Sequence, residues 1–371
     1  MAVAGSDLAF MTVSAVPAPQ AIGADWLKAV LAERGNDWDI TGLRMEPVGT
    51  GQLGDTMRIH LDYGAGRAGP ATIIGKFAAS SQDSRDAAAS NNLYAREIGF
   101  YRELADAARI ATAACLGAAL AQDNSFALLL EDCAPASPGD QIVGIAGDQA
   151  RTAVIEAARL HAAFWDVDAD AARDLSWLES GEPEMRPLAQ PFYPADAIRN
   201  AWPGYRDRHA EDLSYDVIAV CDRFCERYEE YNAIPADRAR CVTHNDYRPD
   251  NMLFHPDGTL KVVDWQSAAL GHAAVDVAYL IGGAFAPDLR RKAEPALVDA
   301  YFAELLRQGV TGYDRAAFQE DYRRFTFAGI NVAVCAAMSV MRTERGDRLF
   351  LTMLRRHAQH VIDSGALDLL G

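Results

Sequence analysis

The chain has 371 residues, half of them hydrophobic and 23% charged, a globular composition with enough length for two lobes and a large buried core. Its net charge of −17 argues against nucleic acid or an anionic membrane surface as a partner, because both require clustered Lys and Arg. No run of about 20 apolar residues could span a bilayer, the N-terminus lacks the basic region of a signal peptide, and the six cysteines form no Cys-x-x-Cys or zinc spacing. The expectation is a cytoplasmic protein with reduced thiols and no membrane partner.

Residues 1–20 read as a flexible tail. Ala24 to Arg34 has helical spacing, with Trp26, Leu27, Val30 and Leu31 on one side, and Gly35-Asn36 is a helix stop. From Ile40 to Phe77 the pattern becomes short strands and turns. Gly49, Gly51 and Gly54 fall in a Gly-x-Gly-x-x-Gly spacing, which lets backbone amides approach phosphate oxygens without Cβ interference. No Lys-Ser/Thr follows, so this is not a Walker loop, and a strand-like Met57–Leu61 replaces the helix of a dinucleotide fingerprint. A turn between two strands covering a triphosphate fits better.

Lys76 lies inside the apolar strand Ile73–Phe77, and a buried lysine needs a partner. Glu97 is the natural one, on an amphipathic helix whose apolar positions Tyr94, Ile98 and Tyr101 recur at helical intervals. Glu103 is a rival, although Arg102 beside it suggests an exposed face. Phe126–Leu130 reads as a buried strand, and the Gly- and Pro-bearing segment 133–139 as a connector. Beyond Gln149 the chain is mostly helical, interrupted by a Pro-rich stretch from Glu182 to Pro203 and by one strand pair. The carboxylates of the segment 165–203 read as a solvated acidic loop.

That strand pair carries the chemistry. Asp246, Asn251 and Asp264 stand five and thirteen residues apart in the run from Cys241 to Gln266. Asn251-Met-Leu-Phe-His is apolar enough for a strand, Pro256-Asp-Gly258 is turn chemistry, and Leu260-Lys-Val-Val263 returns as a β-branched strand. Asn251 therefore begins one strand and Asp264 ends the next, at the same end of a hairpin. Phosphoryl transfer needs a carboxylate beside the attacking hydroxyl, here Asp246. It also needs an amide oxygen and a second carboxylate for magnesium, here Asn251 and Asp264.

The segment resembles the catalytic and metal-binding loops of the aminoglycoside-phosphotransferase-like kinases. Val263-Asp-Trp-Gln266 is most similar to the choline-kinase-like and ecdysteroid-kinase-like branch. Asn245 and Pro249 depart from a usual Gly and Leu, and Asn tolerates the left-handed backbone that such a Gly supplies. The resemblance implies an α+β, two-lobed protein-kinase-like fold, with an N-terminal nucleotide-binding lobe over 21–132 and a C-terminal catalytic and acceptor-binding lobe over 133–371. It implies ATP and Mg2+ as cofactors and a small hydroxylated substrate. Lys76 would hold phosphates and Glu97 would hold Lys76. Gly49, Gly51 and Gly54 would cover the phosphates, and the backbone from Glu131 to Cys133 would meet adenine. His244 and Asp276 would brace the loop, and His161 would be a core histidine. A catalytically silent, pseudokinase-like nucleotide-binding protein is the alternative, and the intact set of Lys76, Asp246, Asn251 and Asp264 argues against it.

Overall fold

The computed structural model describes residues 11–13, 15–49, 54–169, 174–179, 193–235 and 237–371. They divide into two units, residues 1–106 with 112–134 and residues 107–111 with 135–371. The division falls between Ala134 and Pro135, two residues beyond the expected 132/133 boundary. The short segment 107–111 groups with the second unit because Ala111 is held there. Its N–H donates to the Glu156 carboxylate at 2.7 Å, and its carbonyl accepts from Val262 at 2.8 Å.

The first unit is a six-stranded sheet. In chain order its strands are β1 (Met11–Val13), β2 (Ile40–Pro47), β3 (Gly54–Tyr63), β4 (Thr72–Ala78), β5 (Cys115–Ala121) and β6 (Phe126–Glu131), arranged as β1-β5-β6-β4-β3-β2. All neighbours are antiparallel except β1 with β5, where Met11 opposes Ala119. The expected tail is therefore structured over Met11–Val13, and Val16 just after it is buried with its N–H on the Ser125 hydroxyl. Backbone pairing across more than a hundred residues outweighs the unpromising local sequence.

One sheet face is covered by α1 (Ala24–Ala32), whose Leu27, Val30 and Leu31 pack with Ile59, Ile73, Phe77 and Leu129. The approach is close. A Cβ on Gly117 of β5 would lie 2.7 Å from the Val30 carbonyl oxygen, so only glycine fits there. Two helices, α2 (Gln82–Ser90) and α3 (Leu93–Gly99), follow β4, and the chain continues as one wide π-type turn over Phe100–Leu104.

The second unit opens with β7 (Ser137–Pro138) and is otherwise built on helices: α4 (Gly147–Ala163), α5 (Ala195–Arg208), α6 (Tyr215–Glu226), α7 (Tyr228–Asn232), α8 (Ala274–Ala284), α9 (Pro287–Arg307), α10 (Arg315–Phe325), α11 (Ala328–Ser339) and α12 (Glu344–Asp363). Two small sheets sit among them. One joins β7 to the hairpin of β9 (Met252–Phe254) and β10 (Leu260–Val262). The other pairs β8 (Cys241–Thr243) with β11 (Ala269–Gly271), two strands too short for the sequence reading to register. Pro203, expected to mark a break, lies inside α5. Residues 182–192 of the Pro-rich stretch lie outside the described residues, as does Asp170. Asp168 and Glu179, read as solvated, both accept from Arg240. Among the described residues no helix is long and apolar enough to cross a membrane. The sheet-built first part and helical second part are the α+β arrangement expected from the sequence.

Helix packing in the second unit encloses several histidines. Burial pushes the His272 imidazole down to about 4 and His357 to about 3, and it lowers His209 and His360 as well. In the unfolded chain these rings regain a pKa of about 6.5. Below that pH the unfolded state binds more protons than the native state, so stability falls as pH drops from about 6.5 toward 4. At pH 5 His272 and His357 each cost up to about 2 kcal/mol, because every pH unit below about 6.5 is worth about 1.4 kcal/mol per ring. Urea unfolding at pH 7 and pH 5 should give a clearly lower midpoint at pH 5. An unchanged midpoint would mean that these rings are not held neutral.

Candidate active site

In the first unit, strand alternation sets Ile73, Gly75 and Phe77 into the core and turns Lys76 to the opposite face. Its ammonium meets the Glu97 carboxylate of α3 at 2.6 Å, with the Glu97 side chain 1% exposed and Lys76 16%. A carboxylate so buried requires a cation, and the pair fixes the lysine's reach. Gly49 lies just after β2 with φ +77°, and Gly54 opens β3, while Gly51 lies outside the described residues.

The segment after β6 is held by its side chains. The Glu131 carboxylate accepts from the Ala114 N–H at 2.7 Å, and the Cys133 thiol faces the Glu131 carbonyl at 3.9 Å. Asp132, passed over in the sequence, is the better anchored residue. It accepts from Arg58 at 2.7 Å, from the Thr72 hydroxyl at 2.8 Å and from the Ala134 N–H at 3.1 Å. Burial would raise its pKa, but the hydrogen bonds from Arg58 and Thr72 outweigh that and hold it below the usual carboxylate range.

In the second unit, the loop after β8 is shaped by Asp276 of α8. This carboxylate is wholly buried and accepts from the N–H groups of His244 at 2.7 Å and Asn245 at 2.8 Å. His161 of α4 adds a third bond at 3.1 Å, its other ring nitrogen meeting the Tyr301 hydroxyl at 2.8 Å. Asn245 takes the left-handed backbone, φ +60°, and donates to the Thr243 hydroxyl and the Ser267 carbonyl. His244 accepts the Asp246 N–H on Nδ1, so its Nε2–H donates to the Val263 carbonyl at 3.0 Å. That bond ties the loop to the far side of the hairpin.

The hairpin forms in the expected register, with Val262 opposite Met252 and the Val263 N–H on the Asn251 carbonyl at 3.0 Å. Asn251 and Asp264 therefore flank the same end. The Asn251 amide donates to the Asp246 carboxylate at 2.8 Å and to its carbonyl at 2.9 Å. With its nitrogen committed to Asp246, the Asn251 side-chain oxygen is turned away from that carboxylate. Asp264 sits in left-handed backbone at φ +69°, immediately before a short 3-10 turn.

Two partners of Asp246 escaped the sequence reading. Arg248 donates from Nε to both carboxylate oxygens, at 2.9 and 3.1 Å, and its Nη1 also binds Asp250. Burial would lower the Arg248 pKa, but Asp246 and Asp250 outweigh it, so the guanidinium stays charged. Tyr279 donates its hydroxyl to the same carboxylate at 3.1 Å. A signal for Tyr279 was present: it follows Asp276 by three residues, hence on the same helix face. Among the described residues no group of three or more His, Cys, Asp or Glu could hold a metal by itself.

Solved structures share this architecture. One, a microcompartment-associated aminopropanol kinase, superposes over 92% of this chain and 99% of its own with a TM-score of 0.51 and 13% identity. Another, an ethanolamine kinase from Plasmodium vivax, covers 91% and 87% with a TM-score of 0.51 and 12% identity. At such identities the likeness establishes the two-lobed kinase fold. Among curated proteins, acyl-CoA dehydrogenase family member 11 of Gallus gallus is 38% identical over 85 residues, 21% of this chain and 11% of that protein. The chain thus matches about a tenth of the length of that relative. The profile of the phosphotransferase enzyme family matches residues 79–318, well over half of the sequence, and the chain belongs to that family.

Proposed function

We propose that the enzyme transfers the γ-phosphate of ATP, with magnesium, to a hydroxyl group of a small molecule. The acceptor oxygen forms a bond to phosphorus as the bond to the β–γ bridging oxygen breaks, and ADP leaves. Asp246 orients the hydroxyl and receives its proton. Lys76, fixed by Glu97, holds phosphate oxygens, and the backbone at Gly49, Gly51 and Gly54 covers them. The backbone from Glu131 to Cys133 meets the adenine.

Oxygen donors suit magnesium, and two protein ligands are enough where phosphates and waters complete the shell. Asn251 supports such a role because its amide nitrogen is spent on Asp246, leaving the oxygen for a cation. Asp264, beside it on the hairpin, supplies the charged ligand. Magnesium, when bound, neutralises charge on the phosphate oxygens. Catalysis then rests on positioning and electrostatics, with no phosphoenzyme.

The observation that supports the reading is the bond from the Asn251 amide nitrogen to the Asp246 carboxylate at 2.8 Å, which joins the loop carboxylate to the residue that leads into the hairpin. The test is ADP release from ATP and magnesium across a panel of hydroxylated metabolites and antibiotics, with the Asp246→Asn protein as blank. Acceptor-dependent release that is absent from the blank supports the reading. Binding of nucleotide without release on any acceptor would favour a silent nucleotide-binding protein.

A further inference from the structure

Asp246 is held by four contacts from three donor side chains. Its Oδ1 accepts from Arg248 at 2.9 Å and from the Tyr279 hydroxyl at 3.1 Å. Its Oδ2 accepts from Asn251 at 2.8 Å and from Arg248 at 3.1 Å. Arg248 and Asn251 belong to the same loop as Asp246 and shift with it. Tyr279 belongs to α8, so its bond refers the carboxylate to the rigid helical core. Tyr193 is a further ionisable side chain that bears on Asp246, at longer range.

What sets Tyr279 lies at the far end of the sequence. Its ring is stacked on His357 of α12, with centroids 5.4 Å apart and planes 18° from parallel. His357 is wholly buried, and the helices around it are cut away to admit it. A Cβ on Gly329 of α11 would come within 2.2 Å of the His357 ring, and one on Gly282 of α8 within 2.6 Å. One on Gly283 would come within 3.1 Å. Glycine inside a helix is disfavoured relative to alanine. Two of them tight against one imidazole, with a Cβ on Gly283 meeting Gln141 first, at 2.4 Å, and then the same ring, mark a built support beneath the tyrosine that reaches Asp246.

We propose, on the reading of Asp246 as the group that orients the acceptor hydroxyl, that Tyr279 is a positioning residue for Asp246 and that His357 acts through it. Tyr279→Phe keeps the ring and its stack but removes the hydroxyl. It should lower kcat about 10- to 100-fold, the scale of a misplaced catalytic group. KM for ATP and for the acceptor, and the unfolding midpoint, should stay close to wild type, because no binding contact is lost. His357→Asn should lower kcat in the parent protein but have no further effect in the Tyr279→Phe background, since residues acting in series are non-additive. If His357→Asn does not fold, His357→Gln, which retains a planar polar group, takes its place.

ADP release is read with the acceptor found by the panel, or with water as acceptor where none is found. Wild-type kcat in Tyr279→Phe with an inactive Asp246→Asn would overturn the proposal alone. So would independent, multiplying effects of the two substitutions. Wild-type turnover in Asp246→Asn would instead overturn the functional reading, and this proposal with it.

Discussion

Asp246→Asn is expected to lower ADP release by about 10²- to 10⁴-fold, the range for loss of a positioned general base. Affinity for ATP should stay within about twofold, as for a group that acts on the transition state and not on the ground state. The substitution preserves size and planarity. It removes the charge that draws Arg248 and replaces one acceptor oxygen with an amide that cannot accept from Tyr279 or Asn251. The ion pair of Lys76 and Glu97, proposed to hold phosphate, stands on β4 and α3 and is untouched. Nucleotide affinity can be read by calorimetry and turnover by coupled ADP detection on the same samples. Loss of turnover with intact affinity assigns Asp246 to the transfer step. Turnover near wild type would remove it from the chemistry and leave the hairpin a binding element only.

How far the site was legible depended on the range of the forces that build it. The β9–β10 hairpin could be read because its turn residues, Pro256-Asp-Gly258, lie between its strands, and local turn chemistry sets its register. The Lys76–Glu97 pair could be read because desolvation leaves a buried lysine little choice. The pairing of β1 with β5 could not, since three residues carry little signal and their partner lies beyond position 114. Arg248 was missed because in a loop no periodicity says which way a side chain points. Its grip on Asp246 follows from the backbone between them, where the Arg248 N–H donates to the Asp246 carbonyl at 2.9 Å. Asp132 was missed for another reason: its partners Arg58 and Thr72 come from two other strands, and only the sheet register unites them. His357 was the least legible. Its role is visible only once α8, α11 and α12 are packed and two glycines are seen tight against one ring.

Asp276→Ala should destabilise the second unit by about 3–5 kcal/mol, the cost of removing a buried charged acceptor whose partners stay behind. The carboxylate is wholly buried and serves two backbone N–H groups and one imidazole at once. Alanine would leave the His244 and Asn245 amides without an acceptor and His161 paired only to Tyr301. It would also release the hydrogen bond that holds Asn245 in left-handed backbone, a conformation asparagine tolerates better than most residues but adopts less readily than the extended one. Asn245 returning to an extended conformation would turn the following residue, Asp246, away from Asn251. Urea unfolding followed by far-ultraviolet circular dichroism of the helices reads the loss of stability. Asp276→Asn separates the two effects: it keeps the volume and one acceptor but presents an amide to a backbone N–H, so a smaller loss is expected. If Asp276→Ala costs less than about 1 kcal/mol, the N–H groups have found water and the carboxylate is not the brace. If both variants fold yet lose turnover in proportion to their loss of stability, one buried carboxylate sets both the fold of the loop and the place of the group that acts on the acceptor.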